Sequence, residues 1–104
     1  MTIDRTQTQY HDKTGTHVHK IGVATGPASY TTGGDLTVTP ALFGLGRLDL
    51  VLFEPFFNGT NIFLVKYNAA TSALQFFDPS TKAEAGAATN FSAFTARFLA
   101  IGTP

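Results

Sequence analysis

The stretch that decides the fold is SYTTGGDLTVTPALFGLGRLDLVLFEPFF, residues 29–57. It opens on turn chemistry, since Gly33 and Gly34 both accept positive φ without steric cost. TVTPALFGLG, residues 37–46, predicts a single helical turn: Thr39 suits the N-cap, Pro40 the first position, and Gly44 or Gly46 the end. RLDLVLFE, residues 47–54, is the strongest strand signal in the chain. Leu48, Leu50 and Leu52 fall on one face of that strand and Val51 and Phe53 on the other. A strand apolar on both faces belongs inside a sandwich or at a subunit interface. Pro55 ends it.

The same alternation recurs on either side. HVHKIGVA, residues 17–24, predicts a first strand with Ile21 and Val23 on one face. NIFLVKY (61–67) and ALQFFD (73–78) predict a hairpin across a loop of about five residues. In FSAFTARFLAI, residues 91–101, Phe94, Ala96 and Phe98 alternate with Thr95, Arg97 and Leu99. Helix competes here, because Ala and Leu are helix formers, but the alternation and the closing Gly102 and Pro104 favour a strand. Residues 1–16 are rich in Thr, Gln and Asp, with Ile3 and Tyr10 as large apolar groups. They predict an extended arm that cannot fold alone. The expected architecture is all-β. It is a small β-sandwich or jelly-roll-like domain over 17–104, with one short helical turn and an extended N-terminal arm over 1–16.

Composition narrows the function classes. A chain of 104 residues supports one modest core. Only 13% of its residues are charged, about half the usual share, which predicts a surface partly covered by another molecule. Seven acidic residues balance seven basic ones, so no counterion-release drive toward nucleic acid or pull toward an anionic membrane is expected. Without cysteine, thiolate catalysis, disulfides and Cys-ligated zinc are excluded. No apolar run reaches the ~18 residues of a membrane helix, and MTIDRTQTQYHDK has no apolar signal core. Soluble synthesis in the cytoplasm is the expectation.

Reactive chemistry is sparse. His17 and His19 form an H-x-H pair whose imidazoles point the same way on a strand, with His11 or Asp12 as a further ligand. A working metal site needs three or four ligands, commonly from several strands, and the later strands offer no histidine. The expectation is no metal and no cofactor, with His17 and His19 as polar side chains on a solvent or interface strand. A cupin-like metalloenzyme is the weakest reading. Asp49 and Glu54 stand five residues apart, which places them on opposite faces of an ideal strand. Asp49 is expected to pair with Arg47 or Arg97, and no catalytic set is expected. Phe56 and Phe57, which follow a proline in a predicted loop, are interface candidates together with Val51 and Phe53.

A resemblance adds what composition does not. Tyr30, Thr32, Gly33 and Gly34 form a Tyr-x-Thr-Gly-Gly turn. Phe43, Gly44 and Leu45 form a Leu-Gly-Leu-like knot before the strong strand, and an apolar hairpin and TARFLAIG (95–102) follow. Over about residues 20–102 this pattern resembles the small structural proteins of tailed bacteriophages that decorate or cement the head. Asn68 stands after Tyr67 where that pattern carries an Asp. The resemblance implies a β-rich subunit without enzymatic activity that binds the major capsid protein on the outside of the virion. It implies a homo-oligomer, a trimer first and a dimer second. On this reading Ile3, Arg5 and Tyr10 are the arm residues expected at the capsid, and Val51, Phe53, Phe56 and Phe57 lie at the oligomer seam. The alternative is a β-sandwich carbohydrate- or receptor-binding module. The absence of Trp and the presence of only three Tyr argue against sugar stacking.

Overall fold

The computed structural model describes residues 1–4, 10–14 and 17–104. Its strands are β1 (Thr2–Asp4), β2 (Tyr10–Thr14), β3 (His17–Thr25), β4 (Arg47–Phe53), β5 (Phe56–Phe57), β6 (Ile62–Asn68), β7 (Ala73–Phe77) and β8 (Thr95–Thr103). One 3-10 turn, Pro40–Phe43, precedes β4. The strands form a curled antiparallel sheet in the order β1-β3-β8-β5-β6-β7, with β2 also paired to β3 and β4 to β8. The fold is small and all-β, as the alternating pattern predicts.

β8 is the organising strand. It pairs along its length with β3, from Val18 opposite Gly102 to Thr25 opposite Thr95. Its other edge takes β4, then Phe57 of β5. Period-two alternation sends Ala96, Phe98 and Ala100 inward, while Thr95, Arg97, Leu99 and Ile101 face outward. Gly102 is required by close approach, since a Cβ there would run into the Arg47 carbonyl.

A β-bulge between Leu48 and Leu50 alters the face assignment of β4. Leu48 pairs with Gly102 and packs on the core, whereas Leu50 and Leu52 turn outward with Ile101 and Leu99. The three leucines therefore do not share a face, because the extra residue at Asp49 shifts the phase by one.

The inner face closes on an aromatic core. Phe76 stacks on Phe91 at 4.4 Å, and Tyr30 meets both rings edge-on at 5.5 and 5.6 Å. Phe56 lies 4.9 Å from Phe76, and Phe43, carried by the 3-10 turn, lies 5.1 Å from Phe98. The turn begins after Thr39 and ends at Gly44 in the left-handed conformation (φ 72°), but the Thr39 side chain makes no cap bond. β8 starts at Thr95, later than the alternation suggests. Phe91–Phe94 instead forms a hydrogen-bonded turn, with the Asn90 carboxamide oxygen accepting from the Ser92 amide at 2.9 Å. Phe91 is nonetheless fully buried, held where its amide donates to the Pro27 carbonyl.

Much of the expected arm is sheet. Thr2–Asp4 pairs with Thr25–Val23, and Tyr10–Thr14 pairs with Ile21–His17. Ile3 packs against the core. Both strands fill the edge of β3 away from β8, whose amides and carbonyls otherwise lack strand partners.

Phe56→Ala is expected to cost about 3–5 kcal/mol through lost transfer energy and a cavity. Leu50→Ala, on the outer face, is expected to cost under about 1 kcal/mol. Urea denaturation of the two variants checks the order, and equal losses contradict the assigned faces.

Candidate interaction surface

The outer face of β3, β8 and β4 is apolar in register. Ile21, Leu99 and Leu52 form one row across the three strands, and Ile101 and Leu50 lie in the next row beside His19. Ile21, Leu50 and Leu52 are 40%, 44% and 55% exposed. Tyr10 and Asp12 of β2 are the register partners of Ile21 and His19. A shallow groove of about 310 Å³ runs here, lined by Ile21, Leu52, Phe53, Glu54, Arg97 and Leu99 with Phe98. Scattered exposed leucines are ordinary, whereas these apolar side chains are contiguous across three strands.

Ion pairs close both ends of this strip. At one end the Arg97 guanidinium forks onto Glu54, with Nε to Oε1 at 3.0 Å and Nη2 to Oε2 at 2.9 Å. At the other, Arg47 donates to Asp49 from Nε at 2.7 Å and from Nη2 at 3.2 Å, and His17 Nε2 lies 3.3 Å from the same carboxylate. The hydrogen bonds from Arg97 hold the Glu54 carboxyl below its ordinary range, and those from Arg47 do the same for Asp49. Asp49 thus pairs with Arg47, one of its two expected partners. The bulge also brings Asp49 round to His17, so that the simple opposite-face placement of Asp49 and Glu54 does not hold.

A second apolar patch lies on β5 and β6. Phe57, Ile62 and Leu64 are each roughly half exposed, and Phe57 pairs with Ile62. Of the four expected seam residues, Phe57 alone stands well out of the fold. Phe56 and Val51 are buried in the core, and Phe53 is half-buried with its ring 5.7 Å from Phe56 and 6.2 Å from Phe98. Pro55 does not leave a loop behind it. Phe56–Phe57 pairs as a two-residue strand, and alternation turns the first ring in and the second out. Of the expected capsid residues, Ile3 is committed to the core, Tyr10 lies in β2 opposite Ile21, and Arg5 falls outside the described residues. His17 and His19 stand on β3, and the described residues contain no cluster of three or more His, Asp or Glu side chains suited to a metal.

Two carboxylates that sequence reasoning passed over tie the loops to the sheet. Glu84 Oε2 accepts from the Tyr30 hydroxyl at 2.6 Å and from the Gly33 amide at 2.7 Å, while the Phe76 amide donates to the Tyr30 oxygen at 3.1 Å. Burial, reinforced by Glu84, pushes the Tyr30 hydroxyl up to about 12. Buried Asp35 accepts from the Thr37 amide at 3.0 Å and hydroxyl at 2.7 Å, and its Oδ2 meets the Met1 ammonium at 3.0 Å. Burial opposes the charge on Asp35, but the Thr37 hydrogen bonds and the ammonium prevail and lower its pKa below 3.8. Only the TGGD turn hinted at either group, and the alanine-rich run around Glu84 gave no signal.

Compared with known protein families, with curated proteins and with solved structures, the chain matches none.

One of the three tyrosines is expected to titrate near pH 12, read by absorbance near 295 nm, and Tyr30→Phe removes that step. Because the folded pKa is raised, this stabilisation is complete below pH 10 and is lost as pH rises through about 12. Asp35 has the opposite sign. Its contribution is present above pH 3.8 and is lost as pH falls through the lowered folded value. Asp35→Asn should cost about 3 kcal/mol near neutral pH and flatten the acid limb of a stability–pH curve measured by urea denaturation.

Proposed function

We propose that the chain is a non-enzymatic structural subunit that decorates and stabilises the outside of a bacteriophage capsid by binding the major capsid protein. The observation that supports this most is the Phe57–Ile62–Leu64 patch, which the fold leaves exposed on the paired strands β5 and β6. Flat apolar patches on rigid sheets suit permanent attachment to another protein surface. The low charge density of the chain fits the same role. The Tyr30–Gly34 turn, the Phe43–Leu45 knot and the TARFLAIG strand, which bear the resemblance to head-decoration proteins, become the loop bound to Glu84, the plug over Phe98 and the central strand β8. Attachment through this patch replaces the arm as the principal capsid contact, because Ile3 is held in the body.

The test is reconstitution on purified empty capsids, followed by mass spectrometry of washed particles. Copy numbers in the hundreds are expected for the wild type. Ile62→Asp, which places a charge in the patch without touching the core, is expected to lower occupancy at least about tenfold at equal concentration. Wild-type occupancy of a few copies per particle overturns the reading.

A further inference from the structure

The turn that joins β5 to β6 carries the pair Asn58–Gly59, the one place in the chain where glycine follows asparagine. We infer that Asn58 is a site of spontaneous deamidation, at which the folded turn converts the carboxamide to a carboxylate through a cyclic imide.

Both reacting groups are placed for this step. Asn58, Gly59 and Thr60 are exposed. The Asn58 amide donates to the Asn61 carbonyl at 3.2 Å, and Gly59 takes the first central position of the turn at φ 98°, a conformation that favours glycine. The nucleophile is the Gly59 amide nitrogen, which donates to no group among the described residues. No atom lies within 4 Å of the place a Cβ on Gly59 would occupy, so neither a side chain nor a neighbour obstructs ring closure. The electrophile is the Asn58 carboxamide carbon. Its oxygen, Oδ1, accepts from the Thr60 amide at 2.9 Å and from the Asn61 amide at 2.7 Å. These two donors polarise the carbonyl and stay on the oxygen as it takes up negative charge during attack.

The other three asparagines lack this combination. Asn61 precedes Ile62, Asn68 precedes Ala69 and Asn90 precedes Phe91, so each following amide nitrogen stands beside a side chain. The Phe91 amide is also engaged by the Pro27 carbonyl at 2.8 Å.

The chemistry balances without oxidant or reductant. The Gly59 nitrogen bonds to Cγ, the Cγ–Nδ2 bond breaks, and Nδ2 leaves as ammonia with the proton that the Gly59 nitrogen gives up. Water then opens the imide at one of its two carbonyls. Opening at Cγ leaves an aspartyl residue. Opening at the main-chain carbonyl leaves an isoaspartyl linkage, which routes the backbone through Cγ and adds a methylene to it. Either product places an anion where a neutral side chain stood, and the formal net charge falls from zero by one. The new charge adjoins the paired Phe57 and Ile62, where it opposes desolvation of the exposed apolar surface. The isoaspartyl product also lengthens the turn that holds those two residues in register. None of this depends on which molecule contacts that surface.

The test is timed incubation of the full folded chain in warm, mildly alkaline buffer. Ion exchange, peptide mapping by mass spectrometry and enzymatic carboxyl methylation, which labels isoaspartyl residues, follow the products, and Asn58→Asp serves as the chromatographic marker of the aspartyl form. Acidic forms are expected to accumulate with stoichiometric ammonia and to map to Asn58 as both aspartyl and isoaspartyl products. The folded chain is expected to react within about tenfold of the rate of the chain unfolded in guanidinium chloride. Gly59→Ala sets a methyl beside the nucleophile, and Asn58→Gln demands a six-membered ring while leaving the Gly59 backbone unaltered. Each is expected to slow the reaction at least about tenfold, with circular dichroism confirming that both variants are folded. A folded chain that stays intact while the unfolded chain reacts, acidic forms that map to another asparagine, or acidic forms that persist unchanged in Asn58→Gln overturn the inference.

Discussion

β8 is the constraint on which the remaining structure depends. Its inward side reads Ala96, Phe98, Ala100, Gly102, one large ring between small residues. The small neighbours let Phe43 and Phe53 approach Phe98 at 5.1 and 6.2 Å from two directions, and they set where the 3-10 turn and the end of β4 must lie. Gly102 goes further by admitting the Arg47 carbonyl into the space a side chain would fill. That close approach coincides with the bulge that rotates Leu48 inward and Leu50 outward. The small residues of β8 thus accommodate the course of β4, on which the outer surface depends.

The same strand links the two halves of the sheet. β3 holds one edge of β8, and β4 and β5 divide the other. Where β4 stops at Phe53, Pro55 forces a break, and the chain resumes pairing only for Phe56 and Phe57. Phe56 enters the aromatic cluster at that point and joins the β3–β8–β4 side to Phe76 and Phe91 beyond it. Loops are drawn onto this cluster by polar anchors. The Tyr30 ring packs in it while its hydroxyl bridges Glu84 and the Phe76 amide, so one side chain serves both the core and the turn. A buried hydroxyl with partners on both sides restricts the loop to one arrangement, which apolar packing alone does not do.

The sequence made the strands legible because alternation is local. β6, β7 and most of β8 follow their residue pattern, as does the turn at Pro40–Phe43. What escaped reading was non-local. No pattern in RLDLVLFE announces a bulge, and the close approach that accompanies it involves Gly102, more than fifty residues away. Residues 2–4 and 10–14 carry one large apolar group each, too few to mark a strand by alternation, and they pair along the edge of β3. Phe56 and Phe57 look equivalent in sequence, and the break at Pro55 alone decides which one is buried. Glu84 lies in a run of alanines and Asp35 in a turn. Both acquire their roles from groups brought near by the fold, Tyr30 in one case and Met1 in the other. The surface followed the same rule. The phase of β4, set by the bulge, decides which of its leucines stand on the outer face.

The outer face is therefore best understood from what the fold does not need. The core is complete on the inner side, and Ile21, Leu50 and Leu52 contribute little to it, since each keeps 40% or more of its surface exposed. Polar residues at these positions would be nearly neutral for folding and better for solubility. Their apolar character is therefore not explained by the core. The charges at the ends of the strip point the same way. Each arginine there is already matched by a carboxylate of its own chain, so the face presents no net charge to an approaching surface. Exposed pairs of this kind stabilise the fold by little, and they give weak long-range steering.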